Sequence, residues 1–340
     1  MDDIIVSICC LTYNHEKYIR QMLESLLCQK TNFKYEILIH DDASTDGTKS
    51  IIREYEEKYP DIIKPIYQKE NQHSKGVRIS LTYQYPRISG KYIAFCEGDD
   101  FWCDENKLQR QYDLMEQNPD AVICTHRVEC VDETAKKTVG FYPTCSFNDC
   151  FLSQEEFFNY LLDENYYPFH TTSYFVRTSL MKKLLFNIPD FYTAFPAGDV
   201  TLLLYAATMG GLIYFDDVCS KYRILSVSSI SRKLENRDIK IMYSKRFIEA
   251  FQLYDKYTNK IKHEQIKKIV TKYEFNFFIA QENMRELRNK KYRFVIENAP
   301  SKTKIRYIVM IYFNGLYRLL RYFKKKLSKI IMLVYRKKAN

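Results

Sequence analysis

Short apolar runs alternate with amphipathic segments along the first 130 residues of the chain. Strands are predicted where branched and aromatic residues run together, and helices where apolar residues recur every three or four positions. The predicted strands are residues 4–11, 35–40, 62–67, 92–96 and 121–126, and the predicted helices are residues 16–29, 48–58, 76–85 and 105–118. This alternating order predicts an α/β domain in which helices flank a mostly parallel central sheet.

The pattern changes after residue 130. Between residues 131 and 167 it is irregular, which predicts loops and one short helix. A strand at 171–176, a helix at 199–209 and a strand at 212–216 follow. From residue 236 onward the pattern is almost entirely helical and increasingly basic. The sequence therefore predicts one domain over residues 1–235 and a helical extension over residues 236–340.

Polar and acidic residues follow three of the predicted strands. The groups are Thr12-Tyr13-Asn14, Asp41-Asp42 and Glu97-Gly98-Asp99-Asp100. Because the carboxyl ends of parallel strands share one edge of a sheet, these groups are expected to converge. Clustered carboxylates repel one another and are commonly held together by a cation. Each group alone has a structural alternative, since Asn14 could cap the first helix and the acidic residues could form solvated turns.

Glycine is scarce, with nine residues, and its placement excludes two phosphate-binding devices. Neither G-x-G-x-x-G nor G-x-x-x-x-G-K-[ST] occurs, so the dinucleotide fingerprint and the P-loop are both excluded. A protein of this sequence that binds phosphates needs another device, and a divalent cation held by carboxylates is the simplest one.

The net charge of +10 belongs to the C-terminal tail. Residues 301–340 contain 12 Lys and Arg and no Asp or Glu, which leaves 40 basic against 42 acidic side chains elsewhere. Residues 305–320 and 327–335 mix apolar with basic residues, which predicts amphipathic helices on an anionic membrane surface. Nucleic acid is the rival partner, but no nucleic-acid motif accompanies the tail. An ordinary solvated helix face remains the third interpretation.

Three further features predict the location of the protein. The ten cysteines include no C-x-x-C pair, which favours a reducing compartment. The acidic start, Met1-Asp2-Asp3, lacks the basic region of a signal peptide. No apolar stretch reaches the roughly 18 residues needed to span a bilayer. A cytoplasmic, peripheral membrane protein on the inner face of the cell membrane is therefore expected.

Four motifs in a fixed order resemble those of family 2 glycosyltransferases. They are VSICCLTYN, ILIHDDASTDGT, SGKYIAFCEGDD, and GDVTLLLYAATMGG followed by KYR, and the resemblance covers roughly residues 4–235. It implies the Rossmann-like GT-A fold and an inverting, metal-dependent transfer of a sugar from a nucleotide-sugar donor. A UDP-sugar donor and a saccharide or lipid-linked acceptor, in the biosynthesis of surface polysaccharide or glycoconjugates, would fit this family.

The resemblance also implies roles for individual residues. Thr12, Tyr13 and Asn14 would line the nucleotide pocket, and Asp42 or Asp41 would bind a uracil base. Glu97-Gly98-Asp99 stands at the place of the D-x-D motif, so that Asp99, helped by Glu97, would bind Mg²⁺ or Mn²⁺, with Asp100 beside them. Arg78 would add positive charge for the donor. Asp199 would be the catalytic base, and its structural alternative is to cap the helix that begins there.

Acceptor contacts are assigned to two residues, Trp102 as a sugar-stacking platform and His170. A core position is the alternative for Trp102. Many relatives carry a histidine two residues after the Tyr-Arg pair, where this chain has Leu225. The competing functions are a nucleotidyltransferase, which would usually need a glycine-rich loop, and a non-catalytic protein that binds sugar nucleotides or a membrane surface.

Overall fold

The computed structural model describes residues 3–144, 148–163, 168–224, 236–317 and residue 319. The chain forms two compact units, Met1–Ser229 and Ile230–Asn340. The domain boundary predicted at residue 235 lies outside the described residues.

The first unit is built around one sheet. Its strands are β1 (Ile4–Thr12), β2 (Lys34–Asp41), β3 (Ile63–Tyr67), β4 (Tyr92–Phe95), β5 (Phe101–Trp102), β6 (Ala121–Asp132), β7 (Thr138–Tyr142), β8 (Cys150–Leu152), β9 (Phe175–Arg177) and β10 (Gly211–Ile224). They lie in the order β3-β2-β1-β4-β9-β6-β10-β5, with β7 beside β6 and β8 beside β10. Strands β3, β2, β1 and β4 pair in parallel, as do β6 and β10, and β9 runs antiparallel between β4 and β6. The prediction of an α/β domain with a central sheet flanked by helices is confirmed, and the sheet is mixed, with parallel pairs among β3, β2, β1 and β4 and between β6 and β10.

Helices pack on this sheet through their apolar faces. They are α1 (Ile19–Leu27), α2 (Thr48–Lys58), α3 (Lys107–Gln117), α4 (Gln154–Asp163), α5 (Thr178–Phe186), α6 (Asp190–Ala194) and α7 (Gly198–Ala207). The buried face of α1 carries Ile19, Met22, Leu23 and Leu26, which belong to the same hydrophobic core as strand residues of β1, β2 and β4. This spacing of three and four residues is the reason that the segment is helical.

The segment predicted as a helix at residues 76–85 has a different structure. Gly76 is left-handed (φ +80°), and it is followed by a π-helical turn at Ser80–Gln84 and a 3-10 turn at Tyr85–Arg87. The buried side-chain amide of Gln84 donates to the backbone carbonyl groups of Cys10 and Leu38. These two bonds hold the turn against the sheet.

The strand predicted at residues 171–176 is also shorter than expected. Residues Thr171–Ser173 form a 3-10 turn, and only Phe175–Arg177 pairs with other strands. The Ser173 hydroxyl donates to the carbonyl group of His170, a local bond of the kind that competes with strand formation. In contrast, β10 is longer than predicted because it continues past Asp216-Asp217 through a register shift between Phe215 and Val218.

The second unit is helical, as the sequence predicted. Its helices are α8 (Arg237–Tyr257), α9 (His263–Gln281), α10 (Met284–Leu287), α11 (Arg293–Glu297) and α12 (Ser301–Tyr312), with a 3-10 turn at Lys290–Tyr292. The Asn236 side chain caps α8 by accepting from the amides of Asp238 and Ile239. Within the described ranges, no helix combines the length and the apolar character needed to cross a bilayer.

Candidate active site

The three polar strand ends lie together at one edge of the sheet. The carbonyl group of Thr12, at the end of β1, accepts from the amide of Asp42 at 3.0 Å. The carbonyl group of the preceding residue, Leu11, accepts from the amide of Gly98 at 2.9 Å. Strand β1 therefore holds the ends of β2 and β4 on either side of it, and it brings the three polar groups into one site.

The loops that follow β1 and β2 are joined by side-chain hydrogen bonds. The side-chain oxygen of Asn14 accepts from the backbone amide of Thr45 at 2.8 Å, and the backbone amide of Asn14 donates to the Ser44 hydroxyl at 3.0 Å. Asn14 has a φ of +56°, a backbone conformation that asparagine tolerates better than most residues. Its side chain thus connects the two loops, while neighbouring Tyr13 is 44% exposed and free to face a ligand.

Both carboxylates at the end of β2 are buried. The two Asp42 oxygens accept from the amides of Gln72 and His73 at 2.8 and 3.0 Å. One Asp41 oxygen accepts from the amide of Ser44 at 3.2 Å, and the other has no partner among the described residues. Asp42 therefore fixes residues 72–73 beside the strand ends, and Asp41 carries the unsatisfied acceptor of the pair.

The carboxylates after β4 repel one another and also a residue of α7. Burial, then the neighbouring Asp99, then Asp199 raise the pKa of Glu97 to about 8. Asp199 is far from Glu97 in sequence, and its charge nevertheless acts on Glu97. Repulsion of this kind is relieved when a cation lies between the acids.

Gly98 lies where no side chain would fit. A Cβ atom at this position would be 2.6 Å from Thr12 Oγ1 and 2.7 Å from His15 Nδ1. His15 Nδ1 is 3.2 Å from Thr12 Oγ1, and its other ring nitrogen, Nε2, is 3.8 Å from Asp99 Oδ2. The imidazole is thus held between the ends of β1 and β4, beside the predicted metal ligand. Sequence analysis missed His15, although its position directly after Thr12-Tyr13-Asn14 is the signal that would have found it.

Asp100 is hydrogen-bonded to β10. One of its oxygens accepts from the amide of Arg223 in β10 at 2.9 Å, and burial and Asp99 raise its pKa well above the usual range. The Arg223 guanidinium donates to the carbonyl group of Asp99 and to the Gln21 side chain. Asp100 is 1% exposed. It therefore fixes the acidic turn to β10, and a direct contact with the donor is not supported by this position.

Asp199 lies in the first turn of α7. Its Oδ1 atom accepts from the amide of Val200 at 2.8 Å, but the helix follows Ala197 and no side chain caps it, so Asp199 is not the N-cap that the sequence left open as an alternative. The side chain is half-buried, and its charge helps to raise the pKa of Tyr142, after burial and Cys130. A carboxylate in this position can accept both the helix amide and a substrate hydroxyl, because each oxygen has two acceptor sites.

The two residues assigned to the acceptor are both buried. Trp102 is 3% exposed and belongs to the hydrophobic core, with Lys107 Nζ 3.8 Å from the centre of its ring. Because it has no exposed ring face, the prediction that it stacks on a sugar needs correction. His170 stacks on Tyr222 at 4.0 Å between ring centres, and burial lowers its pKa to about 3.

Arg78 is engaged by the chain itself. Its Nη2 atom donates to the carbonyl group of Thr193 at 2.5 Å and to the carbonyl group of Phe195. These contacts differ from the donor contacts that the sequence predicted. Leu225, which replaces the usual histidine, lies outside the described residues.

The residues present are compatible with a divalent cation that a ligand helps to bind. Within the described ranges, no group of three or more His, Cys, Asp and Glu side chains converges to hold a metal ion by itself. Mg²⁺ in nucleotide sites is usually held by one or two carboxylates together with the phosphates of the ligand. Asp99 and Glu97 supply such a pair, and their oxygen atoms suit Mg²⁺ or Mn²⁺.

Comparison with known proteins identifies the family. Residues 7–187 match Glycosyl transferase family 2, which is more than half of the chain. The chain therefore belongs to this family, and the predicted family and class of enzyme are confirmed.

One curated relative is the E. coli protein WfgD, named UDP-Glc:alpha-D-GlcNAc-diphosphoundecaprenol beta-1,3-glucosyltransferase. It is 33% identical over 118 residues, which is 35% of this chain and 44% of the relative. The chain spans only about two fifths of the length of the first curated relatives that it matches. For the protein of M. tuberculosis the aligned share is 39%.

Two solved structures share the fold at low sequence identity. S. aureus TarS 1-349 in complex with UDP-GlcNAc has a TM-score of 0.55 and 16% identity, and the alignment covers 90% of this chain and 87% of TarS. The mannosyltransferase PcManGT from Pyrobaculum calidifontis, in complex with GDP-Man and Mn²⁺, has a TM-score of 0.53 and 16% identity, with 96% and 84% covered. These similarities confirm the predicted GT-A fold.

Proposed function

We propose that this protein is an inverting glycosyltransferase that moves a sugar from a UDP-sugar to a saccharide or lipid-linked saccharide. The observation that carries the proposal is the convergence of the ends of β1, β2 and β4, which the bonds from Asp42 to Thr12 and from Gly98 to Leu11 fix, together with the charge of Asp199 acting on Glu97. One site then contains acids suited to a donor diphosphate and a separate carboxylate suited to an acceptor. The UDP-sugar and the lipid-linked acceptor are supported by the name of the relative WfgD, and UDP-GlcNAc is bound in the TarS structure. A role in surface polysaccharide or glycoconjugate assembly fits this acceptor.

The acids at the end of β4 and the acid on α7 have different roles in the proposed reaction. Asp99, assisted by Glu97, would hold Mg²⁺ or Mn²⁺, which neutralises the charge on the departing diphosphate. The Mn²⁺ in the PcManGT structure supports this choice. Asp199 accepts the proton of the acceptor hydroxyl as that oxygen forms its bond to the anomeric carbon and the bond from carbon to diphosphate breaks. A single displacement by one base inverts the configuration at that carbon.

The donor side can be tested without knowledge of the acceptor. UDP, UDP-sugars and GDP-mannose would be added to the purified chain with and without Mn²⁺, and the midpoint of thermal unfolding would be measured. Because a ligand that binds the native state stabilises it by mass action, uridine ligands with Mn²⁺ are expected to raise the midpoint most. Stabilisation by GDP-mannose alone would contradict the uracil assignment, and a lack of response to every nucleotide would contradict the proposed function.

The start of the basic tail supports a membrane-surface role. Helix α12 exposes 63% of Ile305, and Phe313 and Leu316 beyond it are 59% and 49% exposed. Lys302, Lys304 and Arg306 lie on the same short helix. Apolar side chains beside cations suit the anionic inner face of the cell membrane, where each cation near the surface contributes about 1 kcal/mol. A location on the cytoplasmic side of the membrane follows from this proposal.

Removal of residues 301–340 tests the membrane proposal. The truncated chain should lose binding to phosphatidylserine vesicles in a sedimentation assay, while its affinity for UDP stays within about twofold of the parent, because every proposed donor residue lies before residue 200. Neutral phosphatidylcholine vesicles are the control. Equal binding of the truncated and full-length chains to anionic vesicles would refute the role of the tail.

A further inference from the structure

The C-terminal end of α6 needs hydrogen-bond donors from outside the helix. This five-residue helix ends at Ala194, and the chain then passes through Phe195 and Pro196 before α7 begins at Gly198. The last carbonyl groups of a helix have no partner within it, and Pro196 has no amide to donate. The Arg78 guanidinium donates to two of these carbonyl groups, those of Thr193 and Phe195. A cation at this end of a helix also interacts favourably with its dipole.

The segment that carries Arg78 is also bonded to the end of β2. Asp42 accepts from the amides of Gln72 and His73, which precede Arg78 on the same segment. A second contact joins the two segments further along, between the side chains of Tyr85 and Tyr192. Burial, and then the neighbouring Tyr192, raise the pKa of Tyr85 well above its usual range. The segment from Gln72 to Tyr85 and the segment that contains α6 are therefore held together at two points, Arg78 and Tyr85.

Asp199 follows the tethered carbonyl group of Phe195 by four residues. Phe195 is fully buried, and its amide donates to the carbonyl group of Phe191 at 3.2 Å. The entry into α7 is then fixed by Thr201, whose amide and hydroxyl both donate to the carbonyl group of Ala197. The path from Arg78 to the proposed base therefore runs through hydrogen-bonded backbone.

We propose that Arg78 is a positioning residue that sets the place of Asp199 by holding the end of α6, and so connects the nucleotide side of the site to the base. This inference rests on the proposed role of Asp199. It replaces the donor contact predicted for Arg78 from the sequence. The planar guanidinium reaches two carbonyl groups at once, whereas a lysine would bind them less well because it has no rigid pair of donors.

The first measurement is backbone hydrogen exchange in full-length Arg78→Ala and Arg78→Lys. Loss of a charged donor to the end of α6 should speed exchange at the amides of Phe195 and Thr201 by about tenfold or more in Arg78→Ala, with a smaller change in Arg78→Lys. Arg53→Ala, which removes an exposed arginine from α2, is the matched control and should leave both amides unchanged. If Arg78→Ala does not fold, the same two amides are measured in Arg78→Lys, where faster exchange than in the parent supports the proposal and unchanged exchange contradicts it.

The second measurement separates positioning from donor binding. Titration calorimetry with UDP and Mn²⁺ should give Arg78→Ala an affinity within about twofold of the parent, while turnover of the UDP-sugar falls by about 10²-fold because the base is displaced. A loss of UDP affinity with unchanged exchange at residues 195–201 would overturn the proposal and make Arg78 a donor ligand. If the parent itself fails to bind UDP, the proposed function fails, while the exchange experiment still decides the role of Arg78.

Discussion

Residues 3–100 and residues 101–224 contribute to the site in different ways. In the first region the site residues follow parallel strands, and backbone bonds between neighbouring strands, such as that from Gly98 to Leu11, fix their places. In the second region Asp199 lies on a helix whose place depends on contacts with distant residues. A strand end has one geometric position in a parallel sheet, whereas the first turn of a helix can lie anywhere that packing allows. The part of the site at the strand ends is therefore easier to predict from local sequence than the part on α7.

The same difference explains which predictions succeeded. Helix α2 was predicted with its correct bounds because Thr48–Lys58 carries a clear apolar face and begins after an acidic turn. Strand β9 was predicted too long, at residues 171–176, because a strand of three residues carries no periodicity of its own that would fix its start at Phe175. The sequence left Trp102 between a sugar-stacking platform and a core aromatic, and its burial beside α1 and Lys107 decides for the core. Contacts between residues distant in sequence cannot be derived from a local pattern.

The largest effect is expected from Asp199→Asn. An amide cannot accept the proton of the acceptor hydroxyl, so turnover should fall by about 10²–10⁴-fold, measured as release of UDP from the donor that the protein prefers. Affinity for UDP should not fall, because Asp199 is not among the residues proposed to hold the nucleotide or the metal, and loss of its charge lowers the repulsion on Glu97. Asp190→Asn, on the exposed start of α6, is the control and should keep the activity of the parent. Normal turnover in Asp199→Asn would exclude this residue as the base.

A smaller effect, on the other region, is expected from Asp99→Ala. Removal of the carboxylate proposed as the leading metal ligand should weaken UDP binding in Mn²⁺ by at least about tenfold, since even the loss of a residue that supports a ligand costs that much. Calorimetric titrations with Mn²⁺ and with EDTA should show that the difference disappears when the metal is removed. Asp61→Ala, an exposed aspartate before β3, provides the control. Unchanged affinity of Asp99→Ala in Mn²⁺ would refute the metal role.

His15 provides a sharper test of the nucleotide side, because only the fold connects it with Asp99. With Nδ1 beside Thr12 and Nε2 3.8 Å from Asp99, the ring is expected to orient the carboxylate toward the metal. His15→Gln should therefore weaken Mn²⁺ binding in the presence of UDP by about 10-fold, as read from the EPR signal of free Mn²⁺. Exposed His73→Ala should leave the signal of the parent. If His15→Gln binds Mn²⁺ as tightly as the parent, the imidazole does not support the metal site.

The smallest effect on catalysis, and the clearest contrast with Asp199, is expected from Trp102→Phe. The indole lies in the core and contacts the buried ammonium of Lys107, so the smaller ring should lower the free energy of unfolding by about 1–3 kcal/mol, measured by urea denaturation. Turnover in the folded state should stay within about threefold of the parent, because a buried ring cannot contact a sugar. A stacking platform would give the opposite result, a large rise in acceptor KM at unchanged stability. That outcome would return Trp102 to the acceptor side and would mean that this turn opens when substrate binds.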